Sequence, residues 1–182
     1  MKNAIANQLK IDSHVLEQLF KEVTNENKES FHEMYELIKG PIYGYSLSIL
    51  KNHEDALDNT QDVFVKIYES LDTYQYQNRP MNWVFTITKN LALMKLRSKK
   101  KETEQEINEE IYISSNIKEE DKIIIKLLME KLTEEERQII LMHITGGLKH
   151  HEIAKLLDIK LSTALSKYHR AIKKLKAEWK EV

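Results

Sequence analysis

No cysteine occurs in the chain, which excludes a disulfide framework and any thiolate metal site. Two prolines and four glycines leave little of the punctuation that sheets need at every turn. With Leu, Ile, Lys and Glu abundant, that scarcity predicts an all-α fold. No apolar run approaches the roughly 20 residues of a membrane span. The N-terminal MKNAIANQLKIDSH has no apolar core of the kind a signal peptide needs, so the expected location is the cytoplasm. Net charge is nearly absent as well, at −1, and only the distribution of charge is informative. Catalytic patterns are missing: there is no nucleophile motif, no phosphate-cradling glycine loop and no paired base. His150-His151 has no companion ligands at metal-binding spacing, and adjacent helix residues point apart. The expectation is a protein that is not an enzyme and holds no cofactor or metal.

The 182 residues suit one or two small domains, with 41% hydrophobic residues to fill them. After a polar start, Val15, Leu16, Leu19, Phe20 and Val23 recur at helical spacing. Phe31, Met34, Tyr35 and Ile38 repeat the pattern. Gly40-Pro41 is expected to break or kink it, because proline removes a helix donor. Ile42, Tyr43, Tyr45, Ile49 and Leu50 then resume. Asn52 is placed to cap a helix whose apolar stripe is Ala56, Val63, Phe64, Ile67, Tyr68 and Leu71. Asp55, Asp58, Asn59 and Asp62 lie on or near the opposite side. They suit either a solvated face, helped by the helix dipole, or a docking surface for a basic partner.

Asp72 to Pro80, DTYQYQNRP, has no helical period. Its aromatic, amide and guanidinium groups match the chemistry that stacks unpaired bases. Its spacing equally allows a plain loop with the tyrosines folded back on the helices. Asn82 is expected to cap the next helix, with Trp83, Ile87, Leu91 and Met94 on one face and Thr86, Lys89, Asn90 and Arg97 mostly elsewhere. That helix ends with five cations in the seven residues 95–101, more than a helix dipole explains, and reads as a phosphate-contacting patch.

From Glu102 to Asp121 the sign reverses, with eight acidic residues and Lys118 as the lone base. Weak periodicity makes this an acidic linker, able to shield the basic patch. A domain of residues 13–101, a linker of 102–117 and a second domain of 118–182 follow. In the second, Ile123, Ile124, Leu127, Leu128 and Leu132 mark one helix. Thr133-Glu134-Glu135-Glu136 forms a capping box for the next, which Gly146-Gly147 ends. A short helix through Ile153, Ala154, Leu156 and Leu157, a tight turn, and a longer basic helix capped by Ser162 complete a helix-turn-helix. The last helix buries Ala164, Tyr168, Ala171, Ile172 and Leu175. It exposes Thr163, Ser166, Lys167, Arg170, Lys173 and Lys174.

These segments, in this order, resemble the compact extracytoplasmic-function (ECF) sigma factors of bacterial RNA polymerase. FHEMYELIKGPIYGYSLSILKNHEDALDNTQDVFVKIYESL and NWVFTITKNLALMKLR are similar to the family's region 2. LTEEERQIILMHITGGLKHHEIAKLLDIKLSTALSKYHRAIKKLK is similar to region 4. The resemblance implies two helical domains that bind polymerase core, through the β′ clamp helices and the β flap, and promoter DNA. It implies that Asp55, Asp58, Gln61 and Asp62 dock on the clamp helices. It implies that Tyr74, Asn78 and Arg79 belong to a loop capturing a flipped −10 base. Trp83, Lys89, Asn90 and Arg97 would then meet the −10 duplex and help part it. Ser162, Thr163, Ser166, Lys167, Arg170, Lys173 and Lys174 would read the −35 element.

Some positions depart from the family pattern. Lys149 stands where serine is frequent, His150-His151 where tyrosine and glutamate are common, Asp158 and Lys160 in place of a glycine and a proline, and Leu165 where lysine is frequent. These changes imply a divergent −35 preference. With no further domain in the sequence after Val182, regulation is expected from a separate anti-sigma protein or from expression control. On the residues alone, a stand-alone helix-turn-helix regulator with a sensing or dimerising N-terminal half stays open. No membrane span is expected.

Overall fold

The computed structural model describes residues 10–24, 27–102 and 130–178. The expected linker and the helix marked by Ile123 to Leu128 lie outside the described residues. Seven α-helices and no strand occur among the described residues, in accord with the all-α expectation. They are α1 Ser13–Thr24, α2 Lys28–Leu50, α3 His53–Ser70, α4 Pro80–Glu102, α5 Glu134–Ile144, α6 His150–Leu157 and α7 Leu161–Glu178. A 3₁₀ turn, Leu71–Thr73, follows α3.

Short polar side chains start most of these helices by taking otherwise orphaned amide donors. Asp12 Oδ1 accepts from the amides of His14 and Val15 at 2.8 and 3.3 Å. Asn27 accepts from Glu29 and Ser30, and Asn52 from Asp55. The box at Thr133 closes in both directions, with Thr133 N–H donating to Glu136 and Glu136 N–H to Thr133. At Lys149 the side chain caps nothing, and Glu152 alone accepts the Lys149 amide, at 2.8 Å.

Three expected boundaries move. The helix α4 begins at Pro80 rather than after Asn82, because proline in the first turn forfeits no hydrogen bond and arrives with helical φ. Helix α7 begins at Leu161, one residue before the expected cap Ser162. Gly40-Pro41 breaks nothing: α2 runs through it as one helix of 23 residues. Every residue from Ile42 to Leu50 is buried, so packing on all sides outweighs the local cost of the proline.

Helix α2 is the hub of the first four. Helices α1, α3 and α4 pack around it, burying Leu16, Phe20, Met34, Ile38, Ile42, Tyr45, Val63, Ile67 and Phe85 in one cluster. The same cluster continues into Ile139, Met142, Leu148 and Ile153 of the second half. Leu132, Ile140, Leu141, Ala171 and Leu175 form a separate small core between α5 and α7. The two halves therefore share apolar surface. Ile11 N–H also donates to Thr145 O at 2.9 Å, and Gly146 lies against the Phe85 ring.

Gly146 has no room for a side chain. A Cβ there would sit 2.5 Å from Phe85 Cε2 and 2.9 Å from Met142 O. Neither the backbone carbonyl nor a buried ring can retreat easily. Gly146→Ala is expected to cost about 1–3 kcal/mol, the usual range for overpacking. Urea unfolding would show this as a lowered midpoint, and an unchanged midpoint would refute the contact.

Candidate nucleic-acid interface

Helix α3 divides its acidic residues by depth. Asp58, Gln61 and Asp62 are exposed, whereas Asp55 is buried. The Asp55 carboxylate takes a bond from Lys99 Nζ at 2.6 Å. Lys95 Nζ lies 3.6 Å from Asp58 and 3.8 Å from Asp62. Asp55 is thus not on offer to a partner, contrary to expectation, and Lys95 and Lys99 turn toward α3 rather than outward as one basic patch. The cause is tertiary: α4 returns along α3, and opposite charges that are far apart in sequence meet. Val65 and Tyr68, both 58% exposed, extend the Asp58–Asp62 strip by one and two turns. Sequence reasoning missed Val65 and placed Tyr68 in the core. The available signal was that Val65 falls off the Val63, Phe64 and Ile67 stripe.

The loop after α3 is built on α1. Tyr74 is buried, edge-on to Phe20 at 5.2 Å and tilted against Trp83 at 5.0 Å. Its hydroxyl donates to Glu17 Oε1 at 2.7 Å. Burial, and then that carboxylate, push the Tyr74 hydroxyl well above the usual phenol range. Tyr74 therefore underlies the loop instead of standing on it. Tyr76, Gln77, Asn78 and Arg79 are exposed. Asn78 adopts φ 60, a left-handed conformation that Asn tolerates better than most residues.

Helix α4 presents Asn90 and Arg97 to solvent. Trp83 is half-buried against Phe20. Two expected DNA-facing cations are engaged with α6. Lys89 Nζ donates to Leu156 O at 2.5 Å, and Arg79 Nε lies 3.2 Å from Glu152. No sequence pattern foretold these contacts, since they join residues more than 60 positions apart.

Ala154 of α6 and Ala164 of α7 are both buried, small side chains that suit close packing of the two helices across a short turn. Asp158 occupies a left-handed position with φ 56 and bonds back to α6 through its amide. On α7, Ser162, Ser166, Arg170 and Lys173 are exposed and share one face by their spacing. Lys167 and Lys174 diverge from expectation: they pair with Glu135 and Glu136 of α5. The buried Glu136 carboxylate resists the upward push of burial because Lys174 and the Thr133 amide hold it, and its pKa falls below 4.5. Thr163 is half-buried.

Comparisons with known proteins agree with this layout. Residues 34–102 match the family described as Sigma-70 region 2, and residues 122–175 match Sigma-70, region 4. The ECF RNA polymerase sigma factor SigW of Bacillus subtilis (strain 168) is 21% identical over 184 residues, spanning 92% of this chain and 98% of that protein. The chain belongs to the ECF sigma factors. SigK of Mycobacterium tuberculosis (strain ATCC 25618 / H37Rv), also an ECF sigma factor, is 21% identical over 174 residues, spanning 88% of this chain and 91% of its own. Among solved structures, the sigma factor RpoE from Bartonella quintana in complex with the anti-sigma factor NepR shares the fold. It has a TM-score of 0.62 and 20% identity, covering 84% of this chain and 98% of that one. CnrH in complex with the cytosolic domain of CnrY has a TM-score of 0.53 and 18% identity, covering 93% and 97%.

The departures in the sigma factor's region 4 have a structural consequence. His150 stacks on His143 at 4.5 Å between centroids, and Tyr168 of α7 covers both. His143 Nδ1 lies 2.8 Å from Leu148 O, so that nitrogen carries the proton. His150 Nδ1 is buried with no hydrogen-bond partner among the described residues. Burial, then the nearby His143 and His169, lower the His150 pKa from 6.5. The unfolded chain therefore binds a proton here more readily than the folded one. Stability contributed by neutral His150 is fully present above pH 6.5 and is lost as pH falls from there through the folded value. His150→Gln should flatten the acid limb of a stability-versus-pH curve. An equal slope in the variant would exclude the cluster as its source.

Proposed function

We propose that this sigma factor uses the Asp58–Asp62 strip of α3 to hold RNA polymerase core, with Gln61 between the two carboxylates and Asp55 setting the α3–α4 packing from beneath. The clamp helices of β′ are the expected partner there, and the β flap is the expected partner of the second half. The loop at Tyr74, Asn78 and Arg79, together with Trp83, Lys89, Asn90 and Arg97 of α4, serves the −10 element and its melting. Extruding a base costs a few kcal/mol, which stacking and amide contacts must offset. The exposed α7 face of Ser162, Ser166, Arg170 and Lys173 reads the −35 element, with cations on phosphate and the N-terminal hydroxyls nearest the bases, and Lys167 and Lys174 join it only when released from Glu135 and Glu136. Residues 13–101 and 118–182 act as the two promoter-reading domains, with 102–117 as the linker. An anti-sigma protein is the expected regulator, as the structural neighbour RpoE was solved with one.

One observation carries this reading. After internal pairing, α3 still exposes Asp58, Gln61 and Asp62, and α7 still exposes Ser162, Ser166, Arg170 and Lys173. An acidic strip and a cationic strip remain on one small chain, each on its own helix. Lys89 and Arg79 reach DNA only once α6 moves away, since α6 holds both. The family's members are transcription initiation factors and not enzymes, which suits a mechanism made of binding and strand separation.

Reconstitution on core polymerase with mapping of transcription start sites tests the whole reading; absence of promoter-directed starts would defeat it. Two substitutions test its parts. Asp62→Arg is expected to weaken core binding at least tenfold in a pull-down titration while thermal unfolding stays near wild type, because Asp62 is 60% exposed. Core affinity equal to wild type would remove α3 from the docking surface. Arg170→Ala should weaken −35 duplex binding and lower the salt slope by about 1, as loss of one phosphate contact does. An unaltered slope would take Arg170 off the phosphate.

A further inference from the structure

The segment that positions the −10 loop lies outside the matched region 2. That match begins at residue 34, whereas the loop rests on α1, Ser13–Thr24. A single carboxylate oxygen ties the loop's two ends together. Glu17 Oε1 accepts from the Tyr74 hydroxyl at 2.7 Å and from the Asn78 amide at 2.7 Å. Lys21, one turn further along α1, holds its ammonium 4.9 Å from the centre of the Tyr76 ring. His14, one turn before, brings Nε2 to 3.4 Å from the Asn78 amide nitrogen Nδ2. His14, Glu17 and Lys21 thus sit along one face of α1: His14 and Glu17 both meet Asn78, Glu17 also holds Tyr74, and Lys21 meets Tyr76.

This arrangement has a physical purpose that packing alone does not supply. Asn78 is held at φ 60, a conformation an isolated loop leaves readily. A charged acceptor on its amide is a stronger restraint than a neutral one. Four exposed residues, Tyr76 to Arg79, are arched over a buried tyrosine whose hydroxyl is fixed. A loop already ordered loses less entropy when it closes on a ligand.

We infer that Glu17 is a positioning residue for −10 base capture, acting through Tyr74 and Asn78 rather than on DNA, and that α1 is the platform that orders the loop. The inference rests on the reading of residues 74–79 as the base-capturing loop. Without Glu17, both loop ends lose their shared acceptor, and the loop samples conformations in which Asn78 no longer faces the strand. Core binding is unaffected, since the docking strip lies on α3.

The test uses holoenzyme reconstituted on core polymerase and a fork-junction DNA whose non-template −10 segment is single-stranded, with 2-aminopurine at successive positions. Affinity is measured for the preferred base and for each replacement. Glu17→Ala is expected to reduce discrimination between bases at one −10 position at least tenfold, with core affinity within twofold of wild type. Glu17→Gln keeps an acceptor oxygen and should recover most of the discrimination. Amide exchange at Asn78 should quicken in Glu17→Ala and not in Glu17→Gln. Discrimination unchanged in Glu17→Ala, or lost equally in both variants, overturns the inference. Asn78→Ala separates the two failures. If it too leaves discrimination intact, the reading of the loop is wrong. If it abolishes discrimination while Glu17→Ala does not, the loop reading stands and Glu17 is not its positioner.

Discussion

Burial of α2 is the constraint on which the rest depends. From Ile42 to Leu50 this helix has no exposed side, and Tyr43, Tyr45 and Leu47 are buried nearly completely. A helix apolar all round needs neighbours all round. Helices α1, α3 and α4 supply three of them, and α5 supplies another. That requirement brings α4 back alongside α3, and so brings Lys95 and Lys99 to the acidic residues. It also sets α1 beneath the loop. The positions of the acidic strip and of the loop both follow from how one buried helix is covered.

Charge is then sorted by depth. Asp55 and Glu136 are buried, and each has a lysine partner within 2.6 Å. Truncating one side of such a pair leaves the other without its partner, so these bonds specify packing more than they add stability. Asp58 and Asp62 of α3 and Arg170 and Lys173 of α7 are exposed, and these are the residues proposed to meet partners. Nearly zero net charge conceals this, because these exposed acidic residues and these exposed cations lie on different helices. Surface pairs such as Lys51 with Glu134, both about half exposed, add little to stability.

The apolar interface between the halves gives the loop and α4 a second set of contacts. Lys89 and Arg79 face α6, and Phe85 faces Gly146. Residues proposed for two promoter elements are therefore interlocked through α6, while α7 keeps its cationic face outward. In this arrangement the two surfaces differ in readiness: α7 is open, and part of α4 is covered.

Much of this was legible in the chain. Helix type, and the starts at Asn52 and Thr133, followed from apolar periodicity, scarce Gly and Pro, and capping residues. The order of motifs carried the family. Those signals are local, acting within a turn or two of helix, and a sequence displays local signals directly. Tertiary structure decided what local signals cannot reach. Continuity of α2 through Pro41 came from burial on every side, which outweighs a lost hydrogen bond. Helical spacing placed Asp55, Lys167 and Lys174 on or near outward faces, and charge density placed Lys95 and Lys99 in a basic patch, yet the neighbouring helix supplied each with an opposite charge. Tyr74 read equally as platform or as packing until Phe20, Trp83 and Glu17 surrounded it. Spacing along one helix tells which residues share a face; only the packing of a second helix determines whether that face meets solvent, a partner charge or a core.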